Sequence, residues 1–170
     1  MSPLAQAYRR YQVLKALVQE ARDRALNSPE DPKNALLGLG EPVNPDELAA
    51  FFDQLLNRVN ELGFLDVVST FEETFHARVS AVAASIGTPK LRPAVSVFLG
   101  RRREEQTLRT ILVLLEQIID KTALAKLPDI KDERDRIAHG KLSSQPLKVE
   151  IEDTWQVLEE ALLQALQQLT

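Results

Sequence analysis

The chain contains no cysteine, which excludes disulfides and cysteine-ligated metal sites and makes an intracellular, cytoplasmic setting the plain expectation. Histidine is nearly absent too: there are two, His76 and His139. Aromatic residues make up 5% of the chain, too few for a base-stacking surface, so Trp155 and the two tyrosines fit a core or a subunit contact better. No apolar run approaches the roughly 18 residues that a membrane-spanning helix needs, so no membrane partner is expected. The start, Met1-Ser2-Pro3-Leu4, lacks the charged region and apolar run of a signal peptide. Walker loop, dinucleotide fingerprint and zinc-ligand spacing are all missing, so neither a cofactor nor a metal is expected. Positive charge is in deficit. The net charge is −4, whereas proteins that coat nucleic acid over a broad face are basic, so any RNA contact should be local and focused.

What the chain does have is helical periodicity. Its 170 residues suit one domain with a core of its own. Leu4, Tyr8, Tyr11, Leu14, Val18, Ala21 and Ala25 recur at three- and four-residue steps and predict a helix over 3–26, with Arg9, Arg10, Lys15 and Arg22 mostly off the apolar face. A loop rich in Pro, Gly and Asn follows, over about 27–44. Asn44-Pro45-Asp46-Glu47 is a helix start, with Asn as cap, Pro in the first turn and acids at the positive end. A break near Gly63 is expected, because Phe64, Val67, Phe71, Phe75, Val79, Val82 and Ile86 form a separate stripe.

Residues 87–100, with Pro89 and Pro93, read as irregular. Leu108, Ile111, Leu112, Leu115, Ile118 and Ile119 give the next stripe, and a short helix leads to Gly140. Ile151, Trp155, Leu158, Leu162, Leu166 and Leu169 give the last and cleanest stripe. No strand-period alternation of useful length appears. The expected fold is all-α: a single bundle of five to six helices, without internal repeat or second domain.

The segment that carries chemistry is Glu133-Arg134-Asp135-Arg136-Ile137-Ala138-His139-Gly140. A guanidinium can grip a phosphate through two hydrogen bonds, and an imidazole can move a proton near neutral pH. On an ideal helix five residues rotate by about 500°, leaving Arg134 and His139 about 140° apart. Gly140 suggests that the helix stops there, which puts His139 in the last turn at the negative end of the dipole. RNA cleavage through its own 2′-OH needs a base, an acid and positive charge at the phosphorus. One copy offers one such imidazole, so an enzyme of this kind would share its site between two subunits.

This stretch resembles the signature of the HEPN superfamily (higher eukaryotes and prokaryotes nucleotide-binding). That signature is an Arg, usually followed by Asn, Asp or His, four to six intervening residues in all, and then His. The likeness extends from about Asn44 onward, since HEPN domains are helical bundles with the motif shortly before a long C-terminal helix. The resemblance implies a metal-independent endoribonuclease of toxin or antiviral-defence type, a homodimer, and an antitoxin protein as partner. It assigns catalysis to Arg134 and His139 and a modulating role to Asp135. A subgroup silenced by nucleotidyltransferase antitoxins carries Tyr two residues after the His, where this chain has Lys141. The alternative within the same resemblance is a catalytically silent adaptor, sensor or nucleotide-binding module.

Other residues bear on RNA binding. Arg101-Arg102-Arg103 is the densest basic cluster and can hold phosphates, or form a solvated run tempered by Glu104 and Glu105. Arg136 and Lys141 flank the motif and would add charge beside a phosphate, or be ordinary surface residues. His76, Glu72 and Glu73 are expected to be structural or surface residues. Val157, Ala161 and Leu163, off the main stripe of the last helix, are apolar material for a dimer face.

Overall fold

A computed structural model describes residues 1–29, 31, 37, 44–83, 91–102, 107–119, 124–139 and 146–169. The described residues are all-helical, with six α-helices and no strand: α1 Pro3–Asn27, α2 Pro45–Val82, α3 Arg92–Leu99, α4 Leu108–Leu115, α5 Leu127–Ala138 and α6 Ile151–Leu169. No described helix is long and apolar enough to cross a membrane.

Local chemistry sets the helix starts. Ser2 caps α1 by accepting the Ala5 amide at 3.1 Å, and Asn44 caps α2 by accepting the Asp46 amide at 2.9 Å. Each cap satisfies a backbone donor that the first turn leaves orphaned, and in each case Pro follows where its missing N–H costs nothing. The same tolerance explains α3, which lies in a stretch expected to be irregular. Pro93 and Pro128 both stand at the second position of a helix, α3 and α5, so neither breaks one.

α2 is the spine. At 1.5 Å per residue its 38 residues span about 57 Å. α1 runs antiparallel along its first half, tied by Arg22 to Asp53 (3.1 Å), Tyr11 to Asn60 (2.9 Å) and Arg10 to Asp66 (2.8 Å). The second half buries Phe64, Phe71, Phe75 and Val79 in the main core, together with residues of α3 to α6. Ala25, Leu48 and Phe52 form a smaller core between the end of α1 and the start of α2.

The break expected at Gly63 does not occur. Gly63 is buried and helical, and a Cβ there would overlap Tyr11 Cδ2 and come within 2.8 Å of Tyr11 Cγ. The glycine serves close approach: it lets the Tyr11 ring lie on the α2 backbone.

The buried face of α1 also differs from the expected one. Arg22 stands eighteen residues after Leu4, about five full turns, so it points the same way, while Leu14 and Ala21 point about 80° and 100° away. Leu14 is accordingly 45% exposed, Ala21 is exposed, and Lys15 and Arg22 are half-buried, Arg22 paired with Asp53 of α2. On α6, Ala161 is buried and Val157 packs against the core, so of the three residues expected at a dimer face Leu163 alone, at 54% exposure, faces outward. Trp155 belongs to the core, stacked on Tyr8 of α1 at 5.1 Å between ring centroids.

Gly63→Ala is expected to destabilise the protein by about 1–3 kcal/mol, because the crowded Tyr11 atoms lie near the root of its side chain and cannot swing away. Helix propensity alone would make the same change stabilising by about 1 kcal/mol. The sign of the change in urea midpoint decides between them.

Candidate functional site

α5 places the motif. Its buried row is Leu127, Ile130, Glu133 and Ile137, at steps of three and four. A carboxylate therefore occupies a core position. Glu133, 2% exposed, accepts Arg136 Nε at 3.0 Å, Arg136 Nη2 at 2.8 Å and the Lys148 amide at 3.2 Å. Burial alone would raise its pKa. The Arg136 hydrogen bonds, the Lys148 amide and the charges of both residues outweigh burial and hold it below the ordinary Glu value. Arg136 also faces Glu61 of α2 at 4.0 Å, and Glu61 is paired with Arg58 at 2.7 Å. This chain of charges fixes α5 against α2 and against the segment before α6. The positive charge of Arg136 is thus matched within the protein by Glu133 and Glu61.

Arg134 points from α5 towards α2 and the start of α4. Its Nη2 lies 3.7 Å from Glu72 Oε1 and its Nη1 3.3 Å from Asp135 Oδ1. Glu72 Oε1 also accepts the Leu108 amide at 2.6 Å, so one carboxylate caps α4 and pairs with the motif arginine. Burial pushes the Glu72 pKa up, against the opposing effects of the Leu108 amide and Arg134. Glu72 is not the surface residue expected, since its side chain is 16% exposed. Its signal is its spacing: it falls four residues after Val68 and three before Phe75, both buried. Asp135 bridges Arg134 and Lys131, the latter at 3.2 Å. Burial would raise the Asp135 pKa, but Lys131 and Arg134 hold it below the ordinary value.

His139 caps the C-terminal end of α5, its amide bonded to Asp135 O at 3.1 Å, and its side chain is exposed. It opens on a groove of 440 Å³ lined by Asp129, Asp132, Glu133, Asp135, Arg136, His139, Lys148 and Val149. Four carboxylates against Arg136 and Lys148 make this groove acidic. Arg134 is not among its lining residues, so one protomer does not join the two motif residues in a single pocket.

Arg101 and Arg102 are exposed just beyond α3 and lie apart from this groove, while Gly140, Lys141 and Arg103 fall outside the described residues. His76 is half-buried, with its ring 6.3 Å from that of Phe98. Among the described residues, no group of three or more His, Asp or Glu is placed to hold a metal ion.

Set against protein-family models, curated proteins and solved structures, the chain matches none. The HEPN resemblance rests on the residues of α5 and their order before α6.

Because the Glu133 pKa is lowered on folding, the stability it contributes is present above the ordinary Glu value of about 4.3 and is lost as pH falls past it. Glu133→Gln is expected to lower stability at pH 7 by about 1–3 kcal/mol, leaving Arg136 less well matched. It should also flatten the decline in stability as pH falls below about 5, since one acid-labile group is gone. Urea denaturation at stepped pH measures both effects.

Proposed function

We propose that the chain is a metal-independent endoribonuclease of toxin or defence type, acting as a two-fold homodimer whose shared site is built from Arg134, Asp135 and His139 of both copies. The observation that carries this reading is the exposed imidazole of His139 at the end of a helix on which Asp135 and Glu72 orient Arg134. One imidazole takes the proton of the RNA 2′-OH as the 2′-oxygen bonds to phosphorus. The other gives a proton to the departing 5′-oxygen as the P–O5′ bond breaks, leaving a 2′,3′-cyclic phosphate and a 5′-hydroxyl. The two guanidiniums stabilise the charge that builds on the phosphorus oxygens. An antitoxin protein and a cytoplasmic setting belong to this reading.

A second reading, a catalytically silent helical adaptor, is favoured by two observations. Arg134 is already matched by Glu72 and Asp135, and the groove beside His139 is acidic. Cleavage requires that a second copy, or the RNA itself, displace those carboxylates from Arg134.

The test is total RNA incubated with protein in EDTA. The ribonuclease reading expects cleavage that survives chelation, with 2′,3′-cyclic phosphate ends. His139→Ala and Arg134→Ala should each lose about 10²-fold or more in rate, and Arg134→Lys should rescue incompletely because an ammonium lacks the planar two-pronged grip. An excess of His139→Ala subunits should depress wild-type activity beyond dilution, and the dimer should bury at least about 1,000 Å². Absence of cleavage, or near-normal cleavage by either alanine variant, rejects the reading.

A further inference from the structure

Charge is unevenly distributed along the chain. Residues 74–115 hold seven Lys or Arg against two Glu, a net of +5, which leaves −9 for the remainder of a chain whose total is −4. Among the described residues of that stretch stand Arg78, Arg92, Arg101, Arg102 and Arg109, all exposed. The fold gathers the described residues of this stretch at one end of the bundle. Phe75 of α2 meets Phe98 of α3 at 5.8 Å between ring centroids, and α3 and α4 together form a groove of 290 Å³ with Arg101 at its edge. Exposed Val97 and Val113 line that groove and give apolar ground between the charges.

The position of this end relative to the motif matters most. Leu108 opens α4, six residues after Arg102, and its amide bonds the same Glu72 oxygen that faces Arg134. The basic end therefore adjoins Arg134, whereas the groove at His139 is lined by four carboxylates against Arg136 and Lys148.

We propose that the α3–α4 end is the surface that holds single-stranded RNA, with Arg92, Arg101, Arg102 and Arg109 taking successive phosphates and leading the strand towards Arg134. This deepens the ribonuclease reading and rests on it for the choice of RNA as the polyanion. It also explains how an acidic protein would hold RNA: the attraction is concentrated at one end, and the remaining −9 limits binding elsewhere.

The experiment measures binding of a fluorescein-labelled single-stranded RNA to full-length His139→Ala protein, which removes cleavage from the readout, across a KCl series. The variant combines Arg92→Gln, Arg101→Gln, Arg102→Gln and Arg109→Gln. All four side chains are exposed, and an unchanged thermal melt verifies the fold. The control carries Arg9→Gln, Lys15→Gln, Arg24→Gln and Lys126→Gln, the same loss of charge elsewhere.

At moderate salt the four arginine changes are expected to weaken RNA binding by about tenfold or more. They should also flatten the slope of log affinity against log salt by about 0.7 for each phosphate that the protein no longer neutralises, while the control changes little. Undetectable RNA binding, an unchanged slope in the arginine variant, or an equal loss in the control overturns the inference. So does retention on phosphatidylserine vesicles that depends on the four arginines while RNA binding does not, which assigns the surface to a membrane. Arginine-dependent RNA binding without cleavage by the wild type leaves this surface standing and removes the ribonuclease reading. Cleavage unaffected by the four changes in a wild-type background does the reverse.

Discussion

One carboxylate ties three helices together around Arg134. Glu72 projects from the second half of the α2 spine, accepts the first amide of α4 and faces Arg134 of α5, so three helices meet at one side chain. Its charge suits the positive end of α4 and would be costly half-buried without Arg134 nearby. Arg134 in turn is fixed from both sides by Glu72 and Asp135. The second tie, Glu133 with Arg136 and the Lys148 amide, joins α5 to the approach to α6. The conformation of the motif is thus imposed by carboxylates that belong to the scaffold.

Those two ties also divide the electrostatics. The groove at His139 collects the acidic residues of α5, while the arginines of α3 and α4 stand beyond Glu72. On the proposed reading the strand would be gripped at the basic end and cut where two copies bring their imidazoles together. Arg134 lies at the boundary between the two regions, where a phosphate and a carboxylate would compete for one guanidinium.

Most of the fold is legible in the sequence. The all-α class, the cap at Asn44-Pro45 and the apolar rows of α2, α4 and α6 follow from periodicity and capping chemistry. What does not read correctly shares a cause. Residue type alone makes Gly63 and Pro93 look like punctuation, whereas their roles depend on a neighbouring helix and on position within a turn. The drift of a seven-residue repeat on a straight helix rotates Leu14 and Ala21 out of the α1 interface and brings Lys15 and Arg22 in. At the site, Arg134, Asp135 and His139 stand out in the sequence, but Glu72 and Glu133 do not. Both are carboxylates in otherwise apolar rows, and only their spacing distinguishes them from surface acids.

The tie between Glu72 and Arg134 is the one on which the rest depends, and a double-mutant cycle measures it. Stabilities from urea denaturation are compared for wild type, Glu72→Gln, Arg134→Ala and the double variant; Gln keeps an acceptor for the Leu108 amide and removes the charge. The structure predicts a coupling of about 0.5–1.5 kcal/mol, with Glu72→Gln costing less once Arg134 is gone. Effects that add to within about 0.3 kcal/mol would mean that Glu72 does not hold the motif arginine, and would contradict the account.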